Sequence, residues 1–352
     1  SFWNKKKIFI TGHTGFKGSW LCILLNMLGA KIYGYSLSIE KNSLYRKANA
    51  NKLLVKSYLG DIKNLSNLQK KLIEADPQIV FHLAAQPLVI SSYVDPVDTF
   101  NVNTIGTLNL LEAIKKLKNL KCAIIVTTDK VYQIIQKKTY KETDALGASD
   151  PYGTSKACAE MIVECYNLSF FDKKKYPIIS TARAGNVIGG GDFSKFRIVP
   201  DYLKALNIKK QLIIRNPKSI RPWQHVLEPL SGYLQLAKKT YNANKHLKQQ
   251  SYNFGPKLGS SVSVESLIKL FQKESQNKIK VFSFSDKKKF NETKVLKLSS
   301  FLSQRYLGWR QRYNLQQTIK DILQWNSYVK VNKKDYLGAC KKTIANYYKW
   351  KK

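Results

Sequence analysis

The chain has 352 residues, 43% of them apolar, and carries 60 Lys+Arg against 23 Asp+Glu, a formal net charge of +37. That length exceeds what one hydrophobic core ordinarily organises, so one large domain or two intimately joined ones is expected. The charge comes almost wholly from lysines scattered as pairs and triplets, such as Lys5-Lys6-Lys7 and Lys287-Lys288-Lys289, a diffuse field that argues against a nucleic-acid-reading surface and suits an anionic small-molecule substrate.

In chain order, short apolar runs at 7–11, 31–35, 79–83 and 123–128 alternate with helical patterns at 15–28, 65–75 and 104–117. Alternation of that kind predicts a parallel sheet with crossover helices. Between the first strand and the first helix, ITGHTGFKGSW sets Gly12, Gly15 and Gly18 at GxxGxxG spacing. Glycines there permit a tight turn, close backbone approach to a pyrophosphate and close helix packing, and a helix N-terminus attracts negative charge. His13 and Lys17 lie inside this loop and are candidates to touch cofactor phosphates, with a solvated Lys17 as the alternative. The acid usual at the end of the second strand is replaced by Ser36, which leaves NAD against NADP open at this position. Asp61, in LGDI after the third strand, is a candidate partner for an adenine amino group, or a plain turn residue.

The stretch VTTDKVY then places Thr128, Asp129 and Lys130 in a row behind an apolar run. Asp150-Pro151 marks a helix start, with an N-cap acid and proline at the first helical position. Within that helix, predicted to run to about 167, Tyr152 and Lys156 stand four apart and share a face. An ammonium beside a phenol favours the deprotonated form, a base able to take the proton of an alcohol while hydride leaves the carbon. A strand at 177–182 follows. Beyond Gly185 come a glycine loop (Gly189, Gly190, Gly191) and helical patterns at 229–239, 264–273 and 315–325, and residues 335–352 read as a docked amphipathic terminal helix.

Five cysteines without a CxxC pair predict reduced thiols, and four dispersed histidines argue against a structural metal site. No apolar run has the roughly 18 residues of a membrane span, and the opening SFWNKKKIFITG lacks a signal-peptide layout. The expectation is a soluble, cytoplasmic protein.

The TGxxGFxG loop, HLAAQ from His82 to Gln86, Thr128, YxxxK at Tyr152 and Lys156, and ARAGNVIGGGD from Ala182 resemble the extended short-chain dehydrogenase/reductase family. More narrowly, HTGFKGSWL, IRNPKSIRPWQHVLEPLSGYL, YNFGP and LGW resemble its nucleotide-sugar 4,6-dehydratases, in the branch acting on CDP-glucose. The resemblance implies an α/β fold: a Rossmann-type doubly wound parallel sheet with a smaller, interleaved C-terminal α/β substrate domain. Its boundaries would be 1–185, with a return segment near 223–255, for NAD binding, and 186–352 for the nucleotide sugar. It implies NAD contacts from Gly12, His13, Thr14, Gly15, Phe16, Lys17, Gly18, Ser36, Asp61, Ile62, Leu83, Ala84, Ala85, Tyr152 and Lys156. Substrate contacts would come from Gln86, Asn186, Pro200, Arg215 and Arg221, the guanidinium forks matching pyrophosphate oxygens. A homodimer or dimer of dimers through the helices at 104–117 and 151–167 is implied too, with no metal, membrane or nucleic-acid partner.

By the same resemblance Tyr152, helped by Thr128 and Lys156, removes the 4-hydroxyl proton of the sugar while hydride passes to NAD. The 4-ketone acidifies C5, water leaves from C6, and hydride returns to C6. Asp129-Lys130 stands where the dTDP-glucose relatives carry Asp-Glu, so the pair belongs to the elimination. Asp129 would protonate the leaving 6-hydroxyl, and Lys130 would take the C5 proton as an amine or stabilise the enolate as a cation. In a continued strand Asp129 and Lys130 would point apart, so the chain is predicted to bend after Thr128.

Overall fold

The computed structural model describes residues 1–135, 138–171, 177–194, 197–208, 211–214, 216–243, 251–257, 260–277, 279–283 and 296–350. Six strands of the first half, β1 (Lys7–Thr11), β2 (Lys31–Ser36), β3 (Lys56–Leu59), β4 (Ile79–His82), β5 (Cys122–Val126) and β6 (Ile178–Ala184), join the later Ser251–Phe254 strand in one sheet. From edge to edge the order is Ser251–Phe254, β6, β5, β4, β1, β2, β3, and every neighbouring pair is parallel. The strands β4, β5 and β6 are buried along their whole length, which is why β5 reads as an unbroken apolar run instead of an alternating one.

The chain winds outward from β1 to β3, then crosses back to β4, so the winding reverses between β1 and β4. In doubly wound sheets a ligand crevice opens at that reversal, beyond the carboxyl ends of the strands. One face is covered by helix α1 (Phe16–Met27), the Leu227–Tyr241 helix and the terminal Tyr336–Tyr348 helix, whose apolar residues share one core. The other lies under the Leu65–Ala75, Gly106–Ile114 and Pro151–Ser169 helices.

A third core, built on Tyr202, Leu267, Phe271, Ile319 and Ile322, belongs to the C-terminal half. Two small sheets accompany it, an antiparallel pair of Ile220–Pro222 with Ser261–Ser263 and a parallel pair of Leu212–Ile214 with Val281–Ser283. One element differs from expectation. The helix expected at 104–117 is the last part of a longer run: Pro96–Phe100, a π turn over Asn101–Ile105, then Gly106–Ile114. The terminal helix docks on α1, within the core of the first half. No described helix is long and apolar enough to cross a membrane.

Candidate active site

The glycine loop is pressed against the end of β4. Gly12 has φ +72°, and a Cβ there would lie 2.6 Å from the Ala84 nitrogen; one on Gly18 would lie 2.2 Å from the Gly12 oxygen. Gly15, by contrast, is exposed, and a Cβ on it would meet nothing closer than 3.4 Å. It is the N-cap of α1, and no side chain caps that helix. An open, uncapped N-terminus lined by backbone N–H groups matches a diphosphate. Beside it the Leu83 and Ala84 amides donate to the Thr11 carbonyl and hydroxyl oxygens at 3.0 and 3.2 Å, which fixes the loop through Ala85 at the crevice.

His13 faces the other way. Its ring is fully buried, with Nδ1 2.9 Å from the Ser36 hydroxyl and Nε2 2.7 Å from that of Ser57. Burial holds it down to about 4, so it stays neutral, and it lies so close to Gly34 that a Cβ there would be 2.4 Å from the ring. It therefore braces the ends of β1, β2 and β3, and only its backbone is available to a phosphate. The Ser36 hydroxyl is engaged with His13 and accepts from the Thr14 amide at 3.3 Å. Phe16 turns away from the loop to pack on Gly189. Asp61 accepts from the Lys63 amide at 2.9 Å, while Ile62 is buried under Gly106.

The bend in VTTDKVY is present. The Thr127 amide donates to Ala182 at 2.9 Å and Thr128 is still extended, but Asp129–Val131 is a 3-10 turn. The Thr128 hydroxyl donates to Asp129 Oδ1 at 3.1 Å and accepts from the Lys130 amide at 3.4 Å. Asp150 caps the Pro151–Ser169 helix by accepting from the Gly153 amide at 2.9 Å. From that helix the Tyr152 phenol lies beside the Thr128 side chain, and Lys156 Nζ donates to the Val126 carbonyl at 3.0 Å.

Burial shifts both groups. It pushes the Tyr152 phenol up to about 12, outweighing the neighbouring Thr128 hydroxyl, and pulls Lys156 down to about 7, with Lys17 adding and Glu160 opposing. The expected lowering of the phenol by its neighbouring ammonium is thus not a property of these side chains alone, because desolvation disfavours both charged forms at once.

Asp129 is buried, and its Oδ2 has no hydrogen-bond partner among the described residues. That oxygen lies where a Cβ on Gly185 would come within 2.9 Å. Burial raises its pKa against the pull of Lys130, the Thr128 hydrogen bond and Arg221. A carboxyl so placed is suited to give up a proton, and an orphaned buried oxygen marks a place for a partner.

Lys17 is partly buried, and desolvation, then Arg197, hold it down to about 8, with Asp129 opposing. Arg197, held by Asp192 at 3.0 Å, was not singled out from the sequence, where nothing but its charge marks it. Arg221 is buried on the Ile220–Pro222 strand, and Asn186 follows Gly185, its carbonyl accepting from the Gln224 amide at 3.1 Å. Pro200 lies in the first turn of the Ile198–Ile208 helix. Arg215 lies outside the described residues. Gln86 is folded back on its own loop, donating to the Leu88 carbonyl at 3.1 Å and the Thr99 hydroxyl at 2.9 Å and accepting from the Leu88 amide at 2.6 Å. Its side chain ties the loop together.

A doubly wound sheet with a glycine loop on β1, a threonine beyond β5 and a Tyr-Lys pair on the next helix defines a short-chain dehydrogenase/reductase. The chain belongs to the GDP-mannose 4,6 dehydratase family, whose model matches residues 9–322. It is 38% identical over 357 residues to the CDP-glucose 4,6-dehydratase of Salmonella typhimurium, covering 99% of this chain and 97% of that one. Among solved structures, dTDP-glucose 4,6-dehydratase from Bacillus anthracis in complex with NAD superposes with a TM-score of 0.76 at 20% identity, over 92% of this chain and 96% of that one. UDP-glucose 4-epimerase from Thermotoga maritima, with UDP-glucose, gives 0.78 at 22%, over 92% and 99%. At those identities the likeness is one of fold.

Proposed function

We propose that this protein converts CDP-glucose to CDP-4-keto-6-deoxyglucose by removing water across C5 and C6, with NAD as a cofactor that ends the cycle as it began. The observation that carries this reading is Asp129, buried and with an unpartnered oxygen, beside Lys130 on a turn hydrogen-bonded to Thr128 and close to Tyr152. A plain alcohol dehydrogenation needs only the threonine, tyrosine and lysine; an added buried acid with a lysine next to it is what an elimination needs. A relative matched over its whole length at 38% identity is a CDP-glucose 4,6-dehydratase.

The glycine loop fits NAD: Gly12, Thr14, Gly15 and Gly18 at the uncapped α1 N-terminus would hold its diphosphate, Ser36, Asp61, Ile62, Leu83, Ala84 and Ala85 would line the adenosine side, and Tyr152 and Lys156 would stand at the far end. Bound there, it supplies the oxidant for C4 and the reductant for C6. Tyr152 takes the proton of the 4-hydroxyl as its phenolate, with Thr128 beside it, and Lys156, when protonated, lends the charge that favours that phenolate. With C4 a ketone, Lys130 takes the C5 proton as an amine or steadies the enolate as a cation. Asp129 gives its proton to the 6-hydroxyl, which leaves as water. Lys17, Arg197 and Arg221 supply the cationic wall for the sugar diphosphate, with Asn186 and Pro200 beside it, so residues 186–352, apart from the return segment near 223–255 and the terminal helix, serve as the substrate part of the chain.

The expected dimer has a candidate surface in Ile105, Met161 and Leu168, apolar yet exposed on the two helical runs. A cytoplasmic site of action suits a sugar-nucleotide substrate, whose product would feed deoxysugar synthesis. Incubation of the purified protein with NAD and, separately, CDP-, dTDP-, GDP- and UDP-glucose, followed by mass spectrometry, tests the reading. Loss of one water from CDP-glucose in preference to the others is expected; no dehydration of any of them, or preference for another base, overturns it.

A further inference from the structure

Glu160 lies two helical turns beyond Tyr152 and one beyond Lys156, on the same face of the Pro151–Ser169 helix. It is buried, and so is Arg183, which arrives near the carboxyl end of β6, an otherwise uncharged strand. The two form a fork: Nε donates to Oε1 and Nη2 to Oε2, both at 2.9 Å. The carboxylate also accepts from the Thr127 hydroxyl on Oε1 and from the Thr181 hydroxyl on Oε2 at 2.6 Å. The remaining guanidinium nitrogen donates at 2.9 Å to the Tyr132 hydroxyl, which in turn donates to Asn253 Oδ1 at 2.7 Å. One saturated carboxylate thereby joins the catalytic helix to the segment after β5 and to β6, and Arg183 extends the tie to Tyr132, just past the 3-10 turn, and to the Ser251–Phe254 strand.

A buried ion pair is a poor stabiliser, because desolvation offsets most of the attraction and apolar side chains of equal volume do as well. What it supplies is a fixed direction. Thr127 and Thr128 are consecutive extended residues and point opposite ways. With Thr127 held down on Glu160, Thr128 is turned up toward Tyr152 and Asp129. We propose that the Glu160–Arg183 pair, acting through Thr127, is the positioning device of the active site: it sets the Thr128–Lys130 turn against the helix that carries Tyr152 and Lys156. Glu160, Arg183 and Thr127 are positioning residues; none is assigned contact with the sugar. The inference rests on the reaction proposed for this site.

Thr127→Val tests it, since valine keeps the shape, removes only the donor and leaves the ion pair intact. Turnover of CDP-glucose should fall about 10- to 100-fold with KM changed by less than about twofold, the size expected for a small misplacement of reacting groups. Amide hydrogen exchange in the 128–132 segment should rise, and Thr127→Ser should restore both. If Thr127→Val is not recovered folded, Glu160→Asp, which keeps the charge but shortens its reach, should give the same split. Wild-type turnover together with wild-type exchange in the variant overturns the inference, as does a serine variant as slow as the valine one. A wild-type protein that releases no product counts against the reaction instead, and the exchange measurement still decides the positioning role.

Discussion

Lys156 Nζ donates to the carbonyl oxygen of Val126 at 3.0 Å, tying the helix that carries the phenol to the last residue of β5. The bond costs the lysine its solvation, and its pKa falls to about 7 from the ordinary 10.5. Between those values the folded protein holds fewer protons at this site than the unfolded chain does. The site therefore destabilises the fold fully below about pH 7, and the penalty is relieved as pH rises toward 10.5. Lys156→Met should raise the melting temperature relative to wild type most at pH 6, with the difference shrinking by pH 9.5. Thermal melts of both proteins across that range check the sign; a gap that widens with pH contradicts the shift.

Lys130 sits on the 3-10 turn beside Asp129 and is assigned to the elimination, not to oxidation at C4. Lys130→Met should leave oxidation largely intact and stall the loss of water. On mixing with NAD and CDP-glucose, NADH absorbance should rise and persist while product release falls by about 100-fold or more, the upper range for loss of an acid-base group. Wild-type turnover by this variant removes Lys130 from the mechanism.

Gly12 combines φ +72° with a neighbour 2.6 Å from any added Cβ. Gly12→Ala should cost about 1–3 kcal/mol of stability, as for other backbone positions forced into rare conformations. It should also weaken NAD binding by at least tenfold in a calorimetric titration. A variant that binds NAD as wild type does would mean that the diphosphate lies elsewhere.

The fold was legible because its signals are local. Buried parallel strands read largely as apolar runs, Asp150-Pro151 announces a helix, and Gly12 and Gly18 mark a turn where backbone must approach backbone. What escaped depends on partners far apart in sequence. His13 sits inside the glycine motif, yet Ser36 and Ser57 draw its ring into the sheet. Gln86 looks like a polar residue at a crevice, but Leu88 and Thr99 occupy its amide. Arg197 meets Lys17 only across the fold. Arg183 had a usable signal, a lone charge in a buried strand, but its partner Glu160 is 23 residues away.

Met161 and Leu168 are 59% and 78% exposed on the Pro151–Ser169 helix. Covering such side chains is what an interface core does. The double variant Met161→Lys, Leu168→Lys should elute as a monomer where the wild type elutes as a dimer at micromolar concentration. A wild-type protein that is itself monomeric contradicts the proposed assembly.

The central claim is that the hydrogen removed from C4 comes back at C6 of the same sugar. CDP-glucose deuterated at C4, turned over by the protein with catalytic NAD and read by mass spectrometry and NMR, tests that most directly. The account predicts a 4-keto-6-deoxy product that has lost one water, carries the deuterium at C6 and has taken a solvent hydrogen at C5. Deuterium still at C4 of an epimerised sugar, or lost to solvent, would contradict it.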